Sequence, residues 1–194
     1  LLLATGALFS EEVFGKPAAQ QLRDIADIAR DVYTSPPDAV NTSNTASVLI
    51  GAIGDDRAAE QLRDLLRQKK ISPDYLVVDK ARRTTIKTRI IAHSQQVVRA
   101  DRETRADLAP AVERQVWTRF EKAAARAGGV IISDYGKGMI TVSLLERVID
   151  FCLDKKIFVA VDPKENRFNY YRRVSLITPN HHEAGFAYGR RIQS

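Results

Sequence analysis

From Leu108 onward the chain alternates helical patterns with short apolar runs, and this alternation narrows its folding options more than any other feature. The spacing predicts a helix over Pro110–Arg126 ending at Gly128-Gly129, then a buried strand at Val130–Ser133. It continues with a helix over Val142–Lys155, a strand at Phe158–Val161, a strand at Leu176-Ile177 and a helix over His182–Tyr188. Short apolar strands alternating with helices form parallel βαβ units, because a parallel connection must cross back over the sheet. Upstream, the pattern predicts a helix over Pro17–Tyr33, a loop over Thr34–Thr45, a strand at Ser47–Ile53 and a helix over Ala58–Lys70 with Leu62, Leu65 and Leu66 facing inward. Between these lies a β-rich block: strands at Tyr75–Val78, Thr84–Ala92 and Gln96–Asp101, the last two a hairpin through His93-Ser94-Gln95 with one wet face.

Composition bounds the function classes. The net charge is +6, yet the basic pairs Arg63/Arg67, Arg82/Arg83, Arg172/Arg173 and Arg190/Arg191 are scattered, so no basic tail marks a nucleic-acid partner. No stretch approaches the ~18–20 apolar residues of a membrane span. One cysteine, Cys152, excludes an internal disulfide framework, suits a reducing cytoplasmic compartment, and lies on the apolar side of a helix as a small hydrophobe. Leu1–Phe9 is apolar but short, without a preceding basic region or an initiator Met, and is read as the start of a truncated chain rather than a signal peptide.

In an open parallel sheet, ligands bind beyond the carboxyl ends of the strands. Three expected strands end in polar residues there. Val130-Ile131-Ile132 runs into Ser133-Asp134-Tyr135-Gly136-Lys137-Gly138, a Gly-punctuated turn that brings backbone amides and Lys137 near an oxyanion, or is simply a turn with an Asp cap. Phe158–Val161 runs into Asp162-Pro163-Lys164, where Lys164 is a phosphate contact or a solvated loop lysine. Leu176-Ile177 runs into Thr178-Pro179-Asn180-His181-His182-Glu183; Asn180 and Glu183 have the spacing of a capping box, and the same pair could organise hydrated Mg²⁺. His181 and His182 are adjacent on a helix start, do not face one way, and make no zinc site.

Taken together these motifs resemble the ribokinase-like (PfkB-type) carbohydrate kinases, and within them the heptose-7-phosphate kinases. The resemblance rests on Ile50-Gly51-Ala52-Ile53-Gly54-Asp55-Asp56, Thr85-Ile86-Lys87-Thr88-Arg89, Gln95-Gln96 with Arg99 and Asp101, and the three rim segments above, in the family's order across residues 47–188. It implies a three-layer α/β/α fold with a mostly parallel sheet and a small β-lid, incomplete at both ends. Residues 1–46 are then a divergent segment of helix plus loop, and 47–194 a partial kinase domain with 75–103 as the lid region. The implied reaction is transfer of the ATP γ-phosphoryl group to the anomeric hydroxyl of heptose 7-phosphate. Asn180, His181, His182, Glu183 and Lys164 would meet Mg·ATP, Glu183 being the metal-organising residue; Asp134, Lys87 and Arg89 would bind the sugar substrate, Lys87 and Arg89 at its phosphate. A homodimer through the lid is also implied.

The chain departs from the family in three places. Nothing in Leu1–Tyr33 matches the opening Gly-Asp strand, and Asn41–Ala46 has no glycine where a Gly-Gly-Ala-Asn segment is expected. The general-base Asp of the Gly-Ala-Gly-Asp anion hole is expected beyond Ser194, so residues 1–194 are expected to be inactive alone. Two other readings stay open: a ribokinase-like kinase for a different sugar, and a non-catalytic remnant that binds nucleotide or dimerises.

Overall fold

The computed structural model describes residues 2–4, 9–13, 47–92 and 95–190. The helix expected over Pro17–Tyr33, the loop over Thr34–Thr45 and the first two residues of the His93-Ser94-Gln95 turn lie outside them. The strands are β1 (Leu2–Ala4), β2 (Phe9–Val13), β3 (Leu49–Ile53), β4 (Leu76–Val78), β5 (Ile86–Ala92), β6 (Gln95–Arg102), β7 (Gly129–Ser133), β8 (Phe158–Asp162) and β9 (Leu176–Ile177). The helices are α1 (Arg57–Gln68), α2 (Pro110–Ala124), α3 (Val142–Asp154) and α4 (His181–Tyr188).

Among the described residues, six strands form one sheet in the order β4-β3-β1-β7-β8-β9, every neighbouring pair parallel. Side-chain alternation on β3 shows how it is sandwiched. Ile50 and Ala52 join the core that α2 and α3 cover, with Val116, Trp117, Phe120, Leu144 and Val148. Leu49 and Ile53 join the opposite core, with Leu62 and Leu66 of α1. A strand buried on both faces needs apolar residues at every position, which is why these runs do not alternate with polar ones. Leu65, expected to face inward with Leu62 and Leu66, is half-buried.

The second sheet, expected as the lid, has the order β2-β5-β6: β5 and β6 pair antiparallel, and β2 joins β5 in parallel, whereas Leu76–Val78, expected within the lid region 75–103, pairs instead with β3 in the main sheet. Thus residues 2–4 and 9–13, grouped by sequence reasoning in an N-terminal segment of helix plus loop, contribute a strand to each sheet. β1 sits in the middle of the main sheet, Leu2 opposite both Leu49 and Ile131. Three residues carry no periodicity of their own, so only the slot between β3 and β7 makes this segment a strand.

Cys152 is fully buried, and burial pushes its thiol up to about 11, so it packs as a hydrophobe. No described helix is long and apolar enough to cross a membrane.

Candidate functional site at the carboxyl edge of the sheet

Because the six strands run the same way, their carboxyl ends share one edge. Strand order reverses around β1, whose neighbours β3 and β7 lead to opposite halves of the sheet, and a crevice opens at such a switch point. The three rim segments picked out in the sequence follow β7, β8 and β9 and therefore line this edge.

Asp134 opens the first segment. Its side chain is fully buried, and its oxygens are taken by the Gly136 amide at 2.8 Å, the Tyr171 hydroxyl at 2.9 Å and Arg167 Nη1 at 3.2 Å. Arg167 Nη1 also donates to the Ile140 carbonyl. The carboxylate of Asp134, expected to meet the sugar, faces inward in this structure and shapes the turn. Gly136, at φ +63°, continues that turn, and a Cβ there would lie 3.3 Å from Lys164 Cγ. Lys164 therefore lies across the turn, its backbone amide donating to the Tyr171 hydroxyl at 3.0 Å. Tyr171 and Arg167 escaped sequence reasoning because they come from an irregular stretch, Glu165–Tyr170 and the residue after it, which has no periodicity to read. Burial and the Asp134 charge push the Tyr171 phenol well above its ordinary value, which keeps it a donor.

The acids cluster at the next two tips. Asp162 pairs in register with Ser133. Burial and the charge of Glu183 push the Asp162 carboxyl above its ordinary 3.8; Asp134 adds to this, while a hydrogen bond from Ser133 and the charge of Lys164 pull only part of the way back. Tyr135 stands in the same field: burial raises its phenol, as do the charges of Asp162 and Glu183, against a hydrogen bond with Ser133. A half-buried rim where the charges of Glu183 and Asp134 raise the Asp162 carboxyl is a donor set suited to a hard cation, which would relieve the repulsion while keeping several waters. The residues present thus fit Mg²⁺.

Asn180 caps α4, its Oδ1 accepting from the amides of His182 and Glu183, both at 3.0 Å. Glu183, 8% exposed, returns a carboxylate oxygen to the Asn180 amide at 2.9 Å and completes the capping box. His181 and His182 are exposed with ring centroids 3.8 Å apart, so the two rings do approach each other, contrary to the expectation from their adjacency. Among the described residues no group of three or more His, Cys, Asp or Glu is arranged to hold a metal by protein ligands alone.

Lys87 lies on β5 opposite Asp101 of β6 and donates to it at 3.2 Å; Arg99 Nε reaches the other oxygen at 2.9 Å. Burial opposes the charge on Asp101, but the hydrogen bonds from Lys87 and Arg99 hold its carboxyl below the usual range. Arg89 occupies β5 opposite Arg99, and its side chain lies outside the described residues.

The profile for pfkB family carbohydrate kinases matches residues 39–194. The bifunctional protein HldE of Aliarcobacter butzleri (strain RM4018) is 36% identical over 143 residues, covering 74% of this chain and 30% of that protein. The chain thus spans less than a third of the length of that curated relative. The tetrameric inhibited form of phosphofructokinase-2 from Escherichia coli superposes with a TM-score of 0.63 at 15% identity, covering 100% of this chain and 65% of the other. Arabidopsis thaliana ribokinase complexed with ribose and ATP superposes at 0.56 and 11% identity, covering 99% and 64%.

Proposed function

The chain belongs to the pfkB family of carbohydrate kinases and has their ribokinase-like fold, and on that premise we propose that its rim takes Mg·ATP and heptose 7-phosphate for phosphoryl transfer to the anomeric hydroxyl. The observation that carries this reading is the convergence of Lys164, Asp162 and the Asn180–Glu183 cap on one edge of a parallel sheet. The likeness to the bifunctional protein HldE supports a heptose acceptor over other sugars.

Phosphoryl transfer asks a protein for positioning and charge neutralisation more than for covalent chemistry. Lys164, fixed across the Gly136 turn, supplies a cation beside the transferring group. Asp162 and Glu183 would hold the hydrated Mg²⁺, which neutralises phosphate charge when bound. The α4 amino end, with Asn180 capping it, presents partial positive charge to a phosphate. Lys87, on the lid, meets the sugar's own phosphate once it exchanges Asp101 for that stronger anion, with Arg89 as a second cation on the same strand.

The lid carries the proposed homodimer contact: Ile90, Val97 and Val98 are 46%, 65% and 46% exposed on it. Cytoplasmic residence accords with the single buried thiol of Cys152.

Calorimetric titration with Mg·ATP and with heptose 7-phosphate tests the reading. Binding of both, weakened at least tenfold for nucleotide by Lys164→Met and for sugar phosphate by Lys87→Met, is expected. Absence of binding at millimolar ligand would overturn it, and equal affinity for fructose phosphates would overturn the heptose assignment.

A further inference from the structure

Arg82 has no part in the site described above, yet it is among the most heavily engaged side chains in the molecule. It is 8% exposed and donates to four acceptors: Nη2 to the Ala106 carbonyl at 2.8 Å, Nη1 to the carbonyls of Lys137 at 3.1 Å and Thr104 at 3.4 Å, and Nε to Asp79 Oδ2 at 3.5 Å. Those acceptors come from three separate segments: the entry to the lid after β4, the exit from the lid after β6, and the rim turn after β7.

Other contacts seal the same junction. Leu108 donates its amide to the Gly138 carbonyl at 3.0 Å. Gly138 adopts φ +74° so close to the lid exit that a Cβ would lie 2.0 Å from the Ala106 carbonyl oxygen. Lys137 Nζ, which the sequence offered as a candidate anion contact, instead donates to Glu103 Oε1 at 2.6 Å, an oxygen also held by Arg105 Nε at 2.7 Å. The Glu103 side chain is 6% exposed, and its Oε2 is buried with no hydrogen-bond partner. Burial disfavours that charge, but the bonds from Lys137 and Arg105 keep the Glu103 carboxyl below its usual range.

We infer that Arg82 is a positioning residue: with the Glu103–Lys137 pair it latches the lid's two stems to the rim turn, so that the lid and the turn carrying Asp134 to Gly138 move as one body. A guanidinium suits this task because its planar fork reaches several carbonyls at once, which an ammonium in the same place does not. The latch fixes the sugar side of the rim and leaves the nucleotide side, at α4, untouched. Its sugar-side role rests on the kinase reading; the latch itself does not.

The test uses the full chain with Arg82→Lys, which keeps the charge and loses the fork, and Glu103→Gln, which weakens the second tie. In amide hydrogen exchange, residues 104–108 and 135–140 should exchange at least tenfold faster in both variants, while α3 and β8 keep the parent rate. In ligand titration, Arg82→Lys should weaken heptose 7-phosphate at least tenfold and leave Mg·ATP unchanged, a split that general loosening would not produce. Parent exchange rates in 104–108 and 135–140 would overturn the latch; should Arg82→Lys fail to fold, Glu103→Gln decides by the same criterion. Equal weakening of both ligands would overturn the positioning role. A parent chain that binds neither ligand counts against the kinase reading alone, since exchange still decides the latch.

Discussion

At the scale of single residues, the rim is shaped by where carboxylates are left unneutralised. Asp134 is satisfied by three donors, whereas Asp162 is pushed up by burial and by Glu183. The folded chain therefore keeps the Asp162 proton at a pH where the unfolded chain has lost it. The stability this contributes is complete below the ordinary 3.8 and is lost as pH rises through the higher folded value. Asp162→Asn should flatten the fall of stability with pH above 3.8, measured as urea midpoints, and Mg²⁺ should have a smaller stabilising effect on the variant than on the parent. Glycines make a second contrast. Gly138 and Gly189 both sit at positive φ, but a Cβ at Gly138 would strike the Ala106 carbonyl, whereas nothing lies within 4 Å at Gly189. Gly189→Ala should cost about 1–2 kcal/mol, the left-handed penalty alone. Gly138→Ala should cost more, about 3 kcal/mol, because backbone must shift as well. Denaturant melts of the two variants would check the order.

At the scale of elements, legibility followed periodicity. The βαβ run after Leu108 was readable because its strands are continuous apolar runs and α2 and α3 show an inward stripe, and those elements lie within a few residues of their expected ends. The capping box at Asn180 and Glu183 was readable because capping needs one fixed spacing. β1 and β2 were not, since three and five residues lack a period and acquire their state from neighbours distant in sequence. At the site, the acids and Lys164 were visible as strand-end motifs; the donors that bury Asp134 and the Arg82 latch were not, because they depend on loops meeting in space. Asn180→Ala should cost about 1 kcal/mol in the stability of α4, the usual cap loss. Circular dichroism should show the helix fraying, and Mg·ATP should bind more weakly as the amino end of α4 loses its alignment.

At the scale of the whole molecule, two bodies of unlike character are joined. The main sheet carries the core, with β3 buried on both faces, and the lid leaves Ile90, Val97 and Val98 in solvent. Val97 is the most exposed of them, so Val97→Asp places a charge at the centre of the proposed lid contact. Analytical ultracentrifugation should find dimers for the parent chain and monomers for the variant, with thermal stability changed by less than about 0.5 kcal/mol as befits an exposed site. A monomeric parent would remove the lid as a self-association surface.

The placement of β1 between β3 and β7 has a further consequence for how the chain is made. Leu2 finds one register partner at Leu49 and the other at Ile131. On a ribosome, then, β1 emerges well before Ile131 and has only one side filled until that residue follows. Until β7 arrives, β1 paired with β3 keeps one edge open, and a chaperone that shelters extended apolar segments would find its client there.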